Sequence, residues 1–169
     1  QLQLAGALTG SDWLGNLQQG RVQLAALDWQ LQSPASLNYR SGKLELGSHC
    51  WAMASARLCA GQQRLWPQPK LALRLSELPL ATVAALPPGM RVAGALAGEL
   101  QLELPAAGPQ GSLWLDAGSG SLQLTERGSK TPLPLYWQHW RLDSRLQPQQ
   151  ISSQLKLDGP QLGEMALEL

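Results

Sequence analysis

The sequence predicts an all-β protein: a long, curled antiparallel sheet with an open groove and one short helix near residues 76–86. Three observations carry that prediction. From Val92 to Leu104 every even position is apolar or glycine, while the odd positions run Ala93, Ala95, Ala97, Glu99, Gln101 and Glu103. Such period-2 alternation puts one set of side chains on each face of a strand. The pattern recurs along the chain at the roughly 8–12-residue spacing of a meander. Leucine makes up roughly a fifth of the residues, phenylalanine is absent and only 15% are charged, so the apolar faces are lined chiefly by leucine.

In chain order, Leu2, Leu4 and Leu8 share a face, with Gly6 leaving a gap among them. Val22 and Leu24 alternate, then Leu27, Trp29 and Leu31 alternate in shifted phase, as a β-bulge or short turn requires. Segments 36–40 and 43–51 read as strands around Arg40-Ser41-Gly42, and Leu71, Leu73 and Leu75 mark another. The long strand follows, with Gly94 and Gly98 on its leucine face, where a missing side chain permits a bend or a close approach. Leu113 and Leu115, Leu122 and Leu124, Leu133 to Trp137, Trp140 and Leu142, Leu155 and Leu157, and Met165 to Leu169 complete on the order of ten to twelve strands. The helix is expected at Ser76–Leu86, capped by Ser76 and stopped by Pro87-Pro88.

One short helix cannot cover that many strands. The apolar face is therefore closed by a second sheet or by curling into a barrel, or it stays an open trough for apolar ligands. Long rows of aligned leucines do not stay wet, because burying each contributes about 1.5–3 kcal/mol. A lining with few β-branched or aromatic residues, interrupted by glycines, favours the trough. All 169 residues read as a single β-rich fragment of a longer protein, its sheet continuing beyond both ends, because both ends fall inside alternating segments.

Lys+Arg 13 against Asp+Glu 12 gives a net charge of +1 with the signs interspersed, without the basic stripe of a nucleic-acid binder. There is neither a signal peptide nor a transmembrane run. No catalytic constellation emerges: His49 and His139 lack partners in the pattern, and Gly118-Ser119-Gly120 is a turn rather than a nucleophile elbow. No enzyme activity, cofactor or metal is expected. A hairpin centred between Ala54 and Ser55 would set Cys50 across from Cys59, with Trp51 beside Leu58 on the other face. A cross-strand disulfide is the preferred reading. It implies an oxidising compartment and contributes roughly 2–3 kcal/mol in the chain-entropy model. A zinc site from His49, Cys50, Cys59 and His139 is the rival, without the usual paired ligand spacing, and two unrelated buried thiols are another.

Three motifs together resemble the TamB family of AsmA-like bridge proteins in Gram-negative envelopes. They are His49-Cys50-Trp51 with Leu58-Cys59; Leu78-Pro79-Leu80 with Leu86-Pro87-Pro88-Gly89 and the strand bearing Gly94 and Gly98; and Leu155-Lys156-Leu157-Asp158-Gly159 with Leu167-Glu168-Leu169. They span residues 43 to the end. The resemblance implies a C-terminal-region periplasmic fragment of a protein anchored in the inner membrane, with a taco-like sheet. It implies phospholipid movement between the membranes and outer-membrane assembly alongside a barrel partner resembling TamA. Phospholipid acyl chains would meet a groove lined, by face, by Leu71, Leu73, Leu75, Val92, Leu96, Leu100, Leu102, Leu104, Leu122, Leu124, Leu155, Leu157 and Leu167. The alternative is a scaffold, part of a translocation and assembly module, whose open edges pair with nascent outer-membrane barrel strands.

Overall fold

The computed structural model describes residues 1–24, 27–83, 86–125, 132–161 and 163–168. The first half holds β1 (Leu2–Thr9), β2 (Asp12–Leu24), β3 (Leu27–Leu31), β4 (Ala35–Arg40), β5 (Lys43–Leu46), β6 (His49–Met53), β7 (Ala56–Ala60), β8 (Gln63–Trp66) and β9 (Lys70–Pro79). After α1 (Leu80–Val83) come β10 (Met90–Ala93), β11 (Ala95–Glu103), β12 (Gln110–Asp116), β13 (Gly120–Leu124), β14 (Leu133–Trp137), β15 (His139–Gln147), β16 (Gln150–Gly159) and β17 (Gly163–Glu168). Fourteen of these strands form one sheet, and β10, β13 and β14 form a second of three.

The chain follows a simple path. Strands β3 and β4 are two halves of one pass, as are β5 and β6, β7 and β8, β10 and β11, β12 and β13, and β14 and β15. The chain thus makes eleven antiparallel passes, each beside the one before. This is the meander that the alternation predicts.

The broken passes break at common levels, and each level is a crease. In the first crease the interruptions are 32–34, Gly47–Ser48 and Gly61–Gln62, held in line by Leu37↔Leu46 and Leu46↔Gln63. Strand β2 runs through this level with one extra residue, since Gln3 pairs Gln19 while Leu4 pairs Leu17. The second crease crosses Gly94, Ala117–Ser119 and Gln138, with Ala93↔Ser121 on one side and Ala97↔Asp116 on the other. Gly94 (φ +136°) and Gly118 (φ +52°) adopt backbone angles that side chains disfavour, which is why glycine stands at this bend.

Two expectations change here. The alternating stretch 92–104 is not one long strand. It turns at Gly94 from β10 of the small sheet into β11 of the large one, and β11 stops at Glu103. The helix is shorter than Ser76–Leu86: residues 76–79 extend β9, and α1 covers Leu80–Val83 only. Pairing decides this outcome. Leu78 meets Leu96 and Pro79 meets Ala95 across a bulge at Glu77 (φ +54°), so the backbone gains sheet partners that a costly helical first turn would forgo. Ala84 and Ala85 lie outside the described residues, and Leu86 follows without helical structure.

Candidate functional site: one apolar face across the sheet

Directly paired residues in neighbouring strands share a face, so the registers can be followed from edge to edge. Leu2 faces Gly20, and the Arg21↔Gln30 pair brings Leu31 in line next to it. From Leu31 the row continues through Trp51, Leu58, Leu75, Gly98, Leu115, Leu142 and Leu155 to Leu167. No polar side chain enters it. A parallel row runs Leu71, Leu102, Gly111, Leu146 and Ile151. Between them, Leu73, Leu100 and Leu113 lead to Ser144 and Ser153, which satisfy each other by a 2.9 Å hydrogen bond.

Burial marks this face as the inner one. Every buried side chain among the described residues lies on it: Leu17, Ala35, His49, Met53, Ala56, Ala60, Gln63, Leu78 and Ala117. Met53, Ala56 and Leu78 form a packed centre, joined by Leu27, Trp29, Leu75 and Leu96. Away from that centre the rows stay half-buried, and they end in open positions, Leu2 at 62% and Leu167 at 51% exposure. No large side chain among the described residues is fully buried. The face is a trough, half-covered along its length.

Of the leucines picked from the sequence, Leu71, Leu73, Leu75, Leu96, Leu100, Leu102, Leu155, Leu157 and Leu167 fall on this face. Val92, Leu122 and Leu124 do not join them in the large sheet. They belong to the small one, where Val92 pairs Leu122 and Leu122 pairs Leu135. The bend at Gly94 separates the two sets. Leu104 lies just past β11, its amide donating to Pro69 O at 2.9 Å. Four central members were missed by sequence reading: Trp51, Leu58, Leu115 and Leu142. Their alternation was visible, but assigning them to this face needs the strand pairing.

Tryptophans fill the gaps that glycines leave. A Cβ on Gly20 would run into the Trp51 ring, one on Gly6 or Gly15 into Trp13, and one on Gly120 into Trp137. The Trp137 and Trp13 rings lie over a glycine of the neighbouring strand, Gly120 and Gly6, and Trp13 also covers Gly15 of its own strand. The Trp51 ring reaches across β3 to Gly20. Each restores contact where glycine has no side chain to give. At Gly98 the close neighbour is Leu115, whose Cδ2 is 2.6 Å from where a Cβ would stand.

The opposite face is polar. Lys70 pairs with Glu103 at 2.6 Å, Arg74 with Glu99 at 3.1 Å, and Arg141 with Asp143 at 2.8 Å while stacking over Trp114 at 5.1 Å. Glu99 and Glu103 are thus ion-paired across strands and half-buried rather than simply solvated. The disulfide joining Cys50 to Cys59 sits on this face too, with the two Cα atoms 4.0 Å apart. His139, a member of the rival zinc set, stands on β15 within 3.6 Å of Asp158, four strands removed from Cys59. The structure does not assemble that set. No group of three or more metal-ligating side chains converges among the described residues.

Hydrogen bonds from Gln101 and then Arg74 hold Glu99 below the usual carboxylate range; Lys70 and then Gln110 do so for Glu103, and Arg141 for Asp143. A carboxylate depressed in the folded state stabilises fully above its unfolded value, about 3.9 for Asp and 4.3 for Glu, and loses that contribution as pH falls through the folded value. The melting temperature should therefore be level from neutral pH to about pH 5 and fall below about pH 4. Glu99→Gln, Glu103→Gln and Asp143→Asn combined should make that fall shallower in a thermal-melt series. An unchanged slope would show that these exposed pairs contribute nothing.

No helix among the described residues is long and apolar enough to cross a membrane. The family model described as TamB, N-terminal domain, matches residues 1–169. That match overturns the C-terminal placement expected from the motifs. Those motifs are short strand-and-turn patterns of a sheet built by repetition, so they carry the family without fixing the position along it. No solved structure matches the chain.

Proposed function

The chain belongs to the TamB family, an envelope-associated transport and bridge family, and we propose that its trough conducts phospholipids between the inner and outer membranes. In this reading the chain is a non-enzymatic, periplasmic length of a bridge that also supports outer-membrane assembly. An inner-membrane anchor elsewhere in the protein and an outer-membrane barrel resembling TamA stand at its two ends. The observation that carries the reading is the unbroken apolar row from Leu2 to Leu167. With strands about 4.8 Å apart, eleven passes extend that row over roughly 50 Å of arc. One acyl chain, half of a hydrocarbon core of roughly 30 Å, covers only part of it. Each methylene moved out of water contributes about 0.8 kcal/mol wherever along the leucines it rests. A face of near-equivalent sites holds a chain without trapping it. The Cys50–Cys59 disulfide supports an oxidising compartment, as the periplasm is.

Native mass spectrometry tests the reading. The chain isolated from Gram-negative cells without detergent should carry phospholipid released on activation, and Leu100→Asp should lower the loaded fraction at least several-fold. Lipid-free protein throughout would contradict the conduit.

The scaffold is the second reading, in which open strand edges of the sheet accept a barrel strand by augmentation. Blocking edge backbone groups with proline would harm the scaffold alone, and aspartate in the trough the conduit alone.

A further inference from the structure

The Cys50–Cys59 disulfide crosses from β6 to β7 on the polar face, and both cysteines are half-buried rather than enclosed. Beside it opens a cavity of about 290 Å³, lined by Cys59 itself together with Gly61, Ala72, Arg74 and Glu99. Its walls come from β7 and the turn after it, β9 and β11, and none from β6. In the sheet β9 flanks β7 on the side opposite β6, so the cavity lies beyond Cys59, away from Cys50. Small residues make the room. Ala72 offers only a methyl group, and a Cβ on Gly61 would meet nothing within 4 Å.

Thiol–disulfide exchange needs that side of the bond. A thiolate displaces one sulfur from the other in line, entering opposite the sulfur that leaves. At Cys59 this approach runs through the cavity. Charge on the face favours it. Arg74 stands directly opposite Cys59 in register, and Arg57 takes the same face two residues earlier in β7. Glu99 accepts a hydrogen bond from one Arg74 nitrogen at 3.1 Å, yet the arginine side chain is 73% exposed. Two guanidinium groups against one carboxylate make the electropositive, partly exposed setting in which thiolates are favoured.

We propose that Cys59 Sγ is the electrophilic end of a reducible clasp, attacked by the thiolate of a reductant through this cavity. The incoming sulfur bonds to Cys59, the Cys50–Cys59 bond breaks, and its electron pair leaves on Cys50 as a thiolate. A second thiol of the reductant then attacks the mixed disulfide. Cys59 is released reduced and the reductant departs as its own disulfide. A small thiol such as glutathione and a protein dithiol share that chemistry. The clasp holds β6 to β7 at the step where the inner row passes from Trp51 to Leu58. The assignment holds whatever the apolar face carries.

In the test, the oxidised chain is exposed briefly to glutathione, blocked with N-ethylmaleimide and digested with trypsin. Cleavage after Arg57 leaves each cysteine in its own peptide. Glutathione on Cys59 with maleimide on Cys50 should exceed the reverse at least about fivefold. An even split, an excess on Cys50, or no adduct without denaturant would overturn the proposal. Thioredoxin lacking its resolving cysteine is run in parallel. An adduct with glutathione alone assigns the small thiol; a Cys59 adduct with thioredoxin as well assigns the protein dithiol too. Ala72→Leu fills the cavity from an exposed position and should slow glutathione several-fold, whereas an unchanged rate would overturn attack by this route. Arg74→Gln should slow anionic glutathione several-fold and leave cysteamine, which carries an ammonium, within about twofold. Equal slowing of both thiols would remove Arg74 from the proposal. The peptide ratio in the unsubstituted chain decides even if a variant folds poorly.

Discussion

Replacing Leu78 by aspartate should abolish the native fold. Leu78 is 6% exposed and packs with Met53 and Ala56 in the buried apolar cluster of the sheet. It stands one residue after the bulge at Glu77 and opposite Leu96, where β9 and β11 approach the second crease. Truncation to alanine already costs about 2–5 kcal/mol at a buried leucine. An unpaired carboxylate adds several kcal/mol, against a total stability of about 5–15 kcal/mol for an ordinary domain. Circular dichroism should show no cooperative melt for Leu78→Asp. A variant melting within a few degrees of the parent would mean that this cluster is not the packing centre of the sheet.

The same substitution at Leu102 should leave the fold in place and remove transport. Leu102 lies on the same face, between Leu71 and Gly111, but it is only half-buried and close to the end of β11. A carboxylate there can turn to water, so desolvation is slight and the melting temperature should fall by a few degrees at most. An acyl chain crossing that position meets a charge it cannot solvate. Lipid transfer by the full-length protein carrying Leu102→Asp should fall at least tenfold, measured beside the melt of the same variant. Loss of folding at Leu102, equal to that at Leu78, would mean a closed core.

The contrast between these two leucines was not legible in the sequence, where both are simply leucines in leucine-rich strands. Strand content was legible, because alternation is local: Leu71 to Leu75, Leu113 with Leu115 and Leu155 with Leu157 mark β9, β12 and β16. The creases were not. Alternation reports which face a residue takes, and it passes through Gly94 without a fault although the backbone there leaves one sheet for another. The first half of β2, with Gly15 and Asn16 among Trp13, Leu14 and Leu17, has no clean period, and it is held as a strand by β1 and β4 on its two sides. Residues 76–79 carry helix-start signals that lose to pairing with β11. The row from Leu2 to Leu167 depends on ten successive registers, and a single slip in any of them would turn the next strand over. Gln63 resembled any loop glutamine, since its burial arises only where β5 and β8 meet at the crease.

The central claim is that the leucine face, and not the polar face, receives acyl chains. Adjacent residues of β11 test it most directly. Leu100 lies between Leu73 and Leu113 on the apolar face, and the exposed Gln101 between Ala72 and Ser112 on the other. A photocrosslinking residue should be placed at each position in turn in the full-length protein, irradiated in cells, and assayed for covalent phospholipid. Adducts at position 100 and none at 101 are the predicted result; equal labelling at both, or labelling at 101 alone, would contradict it.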